Sequence, residues 1–290
     1  MSTFAVRFWV LFLLLGLVLA AAPLLAAAPL LAATPLSLSV IDVGQGDSLL
    51  VQFPNGHTML IDAGVPTAGP AVVSYLRSRH VTRIDTLVAT HPHSDHMGGL
   101  PEVVTAFPVG RVWDGGFKRE SQTAFYDALQ AKRVPVTTPP AGFTEKIGEV
   151  TVTVLGPKTQ LTGTRSDPNN NSLVLRLSYR KVSFLLPGDM EAEERASIGS
   201  LPASTVLKVA HHGSIFGTDA AMLQSVQPRF AIISVAAKND YMEPHPPVLA
   251  LLAKAGAQVF TTAQHGSILV TTDGATFTVE PEKAPADAPK

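Results

Sequence analysis

The chain has 290 residues, 46% of them hydrophobic, and its 22 Lys and Arg nearly balance 23 Asp and Glu for a formal charge of -1. Such a balance excludes a whole-protein basic field that would draw in nucleic acid or an anionic membrane from a distance, so an anionic substrate must be held locally. Cysteine is absent, which excludes disulfides, thiolate metal ligands and a lipid-modified cysteine, and leaves His and carboxylates as the only strong metal donors.

Residues 1–33 are read as a segment apart. Arg7 precedes a stretch from Phe8 to Ala33 that carries no charge and grades from Leu/Val-rich sequence into AAPLLAAAPLLAATP. A charged start, an apolar centre and small residues at the end are the parts of a secretory signal, with cleavage expected before Thr34. The other reading is a retained membrane anchor over residues 8–33, which Pro23 and Pro29 would interrupt. Both readings place the rest of the chain outside the cytoplasmic membrane. Residues 34–282 are expected to form one domain, and residues 283–290 a disordered tail.

Within that domain LSLSVIDVG (36–44) alternates as a strand, and SLLVQF, PNG and HTMLIDAG (48–64) read as a hairpin. A helix is expected over 70–80, and RIDTLVAT (83–90) is a buried strand leading into THPHSDHMGG. GGLPEVVTAF opens the next helix. Further strands are expected near 110–113, 134–138 and 150–155, a helix near 121–132, and a second hairpin, SLVLRLSYRKVSFLLPGDM, over 172–190. The two hairpins share a layout: each opens on a polar residue and Ser (Asp47-Ser48, Asn171-Ser172) and returns to an Asp close to a Gly (Asp62-Ala63-Gly64, Gly188-Asp189). Two related β-rich halves covered by helices predict an α/β fold of αββα layers with its site along one edge.

Three of the nine histidines stand within six positions, His91, His93 and His96, with Asp95 between the last two. A strand ending at Thr90 and a helix beginning near Gly98 would leave these residues on a loop at a sheet edge, where a rigid scaffold aims side chains at one point. His91 and His93 can share one ion, and Asp95 and His96 can serve a second. Imidazole and carboxylate without sulfur suit zinc, manganese or iron, and a pair of ions is a known means of activating water.

His-x-His-x-Asp-His after an apolar strand resembles the signature loop of the metallo-β-lactamase superfamily. The stretches DVGQGDS (42–48), LIDAG (60–64), NNNSLVL (169–175), LPGD (186–189), LKVAHHGS (207–214) and His245-Pro246 are together similar to the hydrolase domain of the DNA-uptake protein ComEC and its stand-alone relatives. The resemblance runs from about Ser37 to Glu280 and implies a four-layer αββα hydrolase with two divalent transition metal ions, zinc or manganese. It implies His91, His93, Asp95, His96, Asp189 and His245 as ligands, with Asp189 bridging and His245 completing the second site. Asp95, Asp189, His211 and His212 become the catalytic candidates. His211 and His212 are expected to end the strand STVLKVA, so that alternation turns them to opposite sides and only one enters the site.

Many members place a further histidine between the signature loop and the bridging Asp, whereas this chain has none between His96 and His211. The run Asn169-Asn170-Asn171 stands there instead, so the first site would use water, an Asn oxygen, His211 or His212. Asp62 is expected to brace the loop through hydrogen bonds, and Gln45, Asp47, Asn170, Asn171, Ser172, Gly213 and Ser214 to contact substrate or orient ligands. Lys208, Arg165 and Lys238 are candidates to line an anionic groove, while His57, His80 and His265 are read as solvated loop residues.

The function this implies is hydrolysis by a water activated at the metals, with DNA or another phosphodiester as substrate and no protein partner. Two other functions stay open: an exported esterase or lactonase using the same ions on a carbonyl, and a non-catalytic DNA-binding component of an uptake apparatus.

Overall fold

A computed structural model describes residues 34–117 and 122–284. The expected leader and all but the first two residues of the expected tail lie outside the described residues. Among the described residues no helix is long and apolar enough to cross a membrane.

Among the described residues fifteen strands form two sheets. One has the order β15 (Phe277–Pro281), β14 (Ile268–Thr272), β1 (Leu36–Val40), β2 (Leu49–Gln52), β3 (Thr58–Ile61), β4 (Ile84–Ala89), β5 (Val109–Asp114), β6 (Val136–Thr137). The other has the order β13 (Gln258–Thr261), β12 (Phe230–Ile233), β11 (Val206–Lys208), β10 (Val182–Leu186), β9 (Val174–Tyr179), β8 (Val150–Gly156), β7 (Thr144–Ile147). Central strands such as β3 and β10 are buried along their whole length, because both faces of each sheet are covered there. Along β2, Leu49 and Val51 enter the core between the sheets, while Leu50 turns outward. It meets α1 (Gly69–Ser78), α3 (Leu100–Ala106) and α4 (Thr123–Ala131) through residues such as Leu76, Val103 and Phe125. Along β10, Phe184 and Leu186 face inward and Leu185 packs outward with residues of α5 (Ala192–Ile198), α6 (Ala220–Val226) and α7 (Pro246–Lys254). These are αββα layers. Phe184 is fully buried between them, and its truncation to Ala costs about 3–5 kcal/mol by the usual price of a large core cavity.

The expected internal repeat holds at the level of topology. In the first half β1, β2 and β3 pair antiparallel, and β4, β5 and β6 follow in parallel. In the second half β8, β9 and β10 pair antiparallel, and β11, β12 and β13 follow in parallel. Asp62 after β3 therefore corresponds to Asp189 after β10, and the His91–His96 segment after β4 to His211 and His212 after β11. Parallel strands bring their carboxyl ends to one edge, and these four connections supply the candidate site.

Three local expectations are corrected. The first strand ends at Val40, because the chain then turns through Gly44 and Gly46, both at positive φ. The signature segment is only partly a loop: Asp95 and His96 lie on a one-turn helix, α2 (Ser94–Met97), closed by the Gly98 N–H donating to the Ser94 carbonyl. Strand β11 stops at Lys208, and His211 (φ 47°) and His212 (φ 51°) adopt the left-handed conformation. Such a turn abolishes the alternation on which opposite facing rested, and both imidazoles reach the site.

Candidate metal centre

Asp189 is the hub. Its Oδ2 lies 3.7 Å from His91 Nε2, 3.2 Å from His96 Nε2, 3.8 Å from His211 Nε2 and 3.5 Å from His212 Nε2. Two sets of donors therefore share it: His91, His93 and Asp189, and Asp95, His96, Asp189 and His212. Within each set the donor atoms lie within 4.8 Å of one another. Asp95 Oδ2 is 3.4 Å from His212 Nε2, and His91 Nε2 is 3.1 Å from His93 Nδ1. A third grouping, Asp47, Asp62 and His96, is accounted for by the protein's own contacts described below.

The surroundings fix these donors. Asp62 is fully buried at φ 57°. Its carboxylate accepts from the Thr90 N–H at 2.9 Å and the Thr90 hydroxyl at 2.6 Å, and lies 2.8 Å from His96 Nδ1. That contact turns His96 Nε2 toward Asp189. His212 Nδ1 is 2.8 Å from the Ser234 carbonyl, which leaves Nε2 for the site. The Ser172 hydroxyl stands 3.4 Å from His91 Nδ1 and accepts from the Asp189 N–H at 3.2 Å. Gly46 must be Gly, since a Cβ there would stand 2.0 Å from the Asp95 carbonyl oxygen.

Charge is concentrated here. Burial opposes ionisation of Asp189, but the imidazoles of His96, His212 and His211 outweigh it and hold its carboxyl well below the usual range. Burial likewise opposes protonation of His212, yet Asp189 beside it pushes the imidazole up to about 10. His96 is held well above its ordinary value by Asp189 and Asp95 against the same burial. For His91 burial wins, aided by the charge of His96, and its pKa falls well below the ordinary value. His96 Nε2, His212 Nε2 and Asp189 Oδ1 are buried without a hydrogen-bond partner in the protein. Protons on the imidazoles are doing the neutralising that a divalent cation would do, and buried nitrogen and oxygen donors aimed at one another fit such an ion.

The remaining predicted residues divide. His245 lines the same cavity of about 480 Å³, but it is not among the converging donors. Its backbone N–H donates to the Gly213 carbonyl at the start of α7, and its Nδ1 is buried without a partner. His212, thrown inward by the left-handed turn, stands with Asp95 and His96 where His245 was expected. His211 lies beside it, partly exposed, with Nδ1 3.2 Å from Glu191 Oε1. Asn169 lines the cavity with its Oδ1 buried and without a partner in the protein, whereas Asn170 and Asn171 turn their side chains to neighbouring backbone. The Asn171 side chain bonds the Leu161 and Asp167 backbone, and Asn170 accepts from the Glu194 N–H. Asn169 reaches Glu191. Gln45 spans from Glu243 to the Ala236 N–H at the cavity wall. Gly213, at φ 85°, leaves no room for a Cβ against Pro244, and Ser214 lines the cavity.

Of the expected groove cations only Arg165 lines the cavity. Lys208 is 1% exposed and locked to Asp47, and Lys238 is exposed elsewhere. His80 is exposed, but His57 is half-buried with Nε2 3.1 Å from the Thr86 hydroxyl. His265 is buried on a one-turn helix, α8 (Thr262–His265), against the Phe260 ring, because its Nδ1 meets the Thr261 backbone. Glu191 was not singled out from the sequence. Its position two residues beyond Asp189 at the head of α5 was the available signal.

Layers, repeat and donor set define a class, and comparison with known proteins agrees. Residues 41–237 match the family model of the Metallo-beta-lactamase superfamily, and the chain belongs to that family. It is 31% identical over 255 residues to ComE operon protein 3 of Bacillus subtilis (strain 168), covering 80% of this chain and 32% of that protein. It is 28% identical over 236 residues to Competence protein ComA of Neisseria gonorrhoeae, with the same 80% and 32% coverage. The chain thus spans about a third of the length of these curated relatives. Among solved structures, the metallo-beta-lactamase fold protein YhfI from Bacillus subtilis superposes with a TM-score of 0.53 at 13% identity, over 82% of this chain and 100% of that one.

Proposed function

We propose that this chain is a metal-dependent phosphodiesterase that acts on DNA outside the cytoplasmic membrane. The observation that carries the reading is Asp189 Oδ2, ringed by four imidazole nitrogens at 3.2 to 3.8 Å on the wall of an open polar cleft. His91, His93 and Asp189 would hold one divalent ion, and Asp95, His96, Asp189 and His212 a second, with zinc or manganese suited to that donor set. When bound, such ions supply an activated water and neutralise the charge of a phosphate.

The chain's own residues do the rest. Asp189, shared by both sets, fixes their separation, and Asp62 and Thr90 hold the signature segment against it. His211 keeps its proton readily, since Asp189 and Glu191 outweigh the burial that opposes it. It stands at the cleft surface, placed to give that proton to a departing oxygen. Arg165, half-exposed at the rim, offers the local positive charge that a molecule of net charge -1 otherwise lacks.

Support for DNA comes from the motifs similar to those of DNA-uptake hydrolase domains and from a relative named as a competence protein. The uncharged run from Phe8 to Ala33 behind Arg7 supports export or anchorage. The test is a side-by-side assay of purified protein, supplied with manganese or zinc, on DNA, bis-p-nitrophenyl phosphate and a lactone panel. Cleavage of both phosphodiesters and no lactone is expected. Lactone turnover alone would establish the esterase reading, and DNA retention without turnover or bound metal the binding-module reading.

A further inference from the structure

The cleft is polar at its floor, yet its mouth carries an aromatic side chain in the open. Tyr241 is 64% exposed and lines the cavity, and the next residue, Met242, is 77% exposed. The loop that presents them is tightly held. Asn239 accepts from the Tyr241 and Glu243 N–H groups through Oδ1 and donates to the Ala236 and Glu243 carbonyls through Nδ2. The Glu243 side chain accepts from Gln45 at 3.0 Å, so the loop is pinned from both ends. Met242 sits at φ 58°, a conformation a non-glycine residue adopts only when its surroundings enforce it. The loop thus holds a large ring out in water at the lip of a polar cleft.

A second flat surface lies in the same cavity. The Arg165 guanidinium sits 3.1 Å from the centroid of the Phe216 ring, and the Arg165 backbone N–H is bonded to Glu193. The two surfaces are joined through the backbone: Phe216 lies three residues past Gly213, whose carbonyl accepts from the His245 N–H at the end of the Tyr241 loop.

We infer that Tyr241, with the Arg165–Phe216 stack, is a platform for an unstacked nucleobase next to the phosphate at the metal donors. The ligand class is a single-stranded stretch of nucleic acid. An exposed ring and a guanidinium plane bind any base by its π-face. Bases inside a duplex are stacked on one another and present no such face, so the strand must be single or frayed where it enters. This inference rests on the phosphodiesterase reading above and adds the recognition of the base to it.

The test uses the full chain with manganese and compares kcat/KM on two single-stranded oligonucleotides, one with all its bases and one abasic around the cleaved bond. Wild type is expected to prefer the base-bearing strand by about 10-fold or more, the size of a lost base stack. Tyr241→Ala should bring that ratio close to one, and Tyr241→Trp should preserve it. Arg165→Ala should lower it as well. Equal cleavage of the two strands by wild type would overturn the platform and leave the phosphodiesterase reading standing. So would a Tyr241→Ala protein that keeps the preference, or one that loses both strands in the same proportion. Cleavage of neither strand by wild type would overturn the phosphodiesterase reading and this inference with it.

Discussion

Lys208 Nζ lies 2.5 Å from Asp47 Oδ2, and each side chain is 1% exposed. The pair joins the loop after β1 to the end of β11, and so ties the two halves together directly beneath the donors. The contact is ionic, since Nζ makes no hydrogen bond of good geometry. The second Asp47 oxygen stands 3.6 Å from His212 Nδ1. Removing one partner strands a buried charge, so Lys208→Met is expected to lower the unfolding free energy by about 3–5 kcal/mol. Asp47→Asn combined with Lys208→Met should recover most of that loss, because an intact buried pair contributes little net stability. Urea denaturation of the single and double variants decides it, and additive losses would contradict this account.

Asp62 braces the candidate metal site through His96 and Thr90. Asp62→Asn keeps the shape but removes the charge that orients His96 Nδ1. Metal affinity should fall about 10- to 100-fold, as for other outer partners of ligating histidines, with little change in the far-ultraviolet circular dichroism. Competition against a chromophoric chelator measures it, and an unchanged affinity would show that Asp62 serves the fold alone.

Metal binding should release protons. His212, raised to about 10 by Asp189 against the effect of burial, and His96, also raised, carry protons at neutral pH that a cation must displace. About one to two protons per chain are expected to leave near pH 7, and affinity should rise with pH. Calorimetry of metal binding in two buffers of different ionisation enthalpy reads the number directly. Buffer-independent heats would contradict the charge state assigned to the cluster.

Glu194 gives a pH effect away from the donors. It is fully buried, both carboxyl oxygens lack partners, and burial pushes its pKa well above the ordinary value. As pH rises past the ordinary glutamate value, the unfolded chain gives up this proton first, so the folded state holds more protons and its stability falls. The contribution is whole at low pH and is lost up to the folded pKa. Glu194→Gln should therefore match wild type near pH 4 and exceed its melting temperature at pH 8. A variant less stable at pH 8 would show that the carboxylate is needed ionised.

Much of this was legible in the sequence where the signal was local. The run IDTLVA of β4 is buried apart from Asp85 because both faces of its sheet are covered, and it delivers His91. The two hairpin ends with Asp close to Gly betrayed the repeat that makes Asp62 and Asp189 counterparts. What stayed hidden depended on distant or unusual backbone. Nothing in Ala-His-His-Gly announces two successive left-handed histidines, so strand alternation gave the wrong geometry and did not bring His212 in among Asp95, His96 and Asp189. Lys208 reads as a surface cation until folding brings Asp47, 161 positions earlier, against it. His265 passes for a loop residue until the Thr261 backbone and Phe260 enclose it.

Hydrolysis by this chain is expected to depend on ions held by the donors around Asp189. The most direct test is cleavage of an end-labelled single strand by protein stripped with chelator and then resupplied with manganese or zinc. No cleavage after stripping, recovery on adding metal and no recovery in Asp189→Ala are predicted. Full cleavage by the stripped protein, or wild-type recovery in Asp189→Ala, would contradict it.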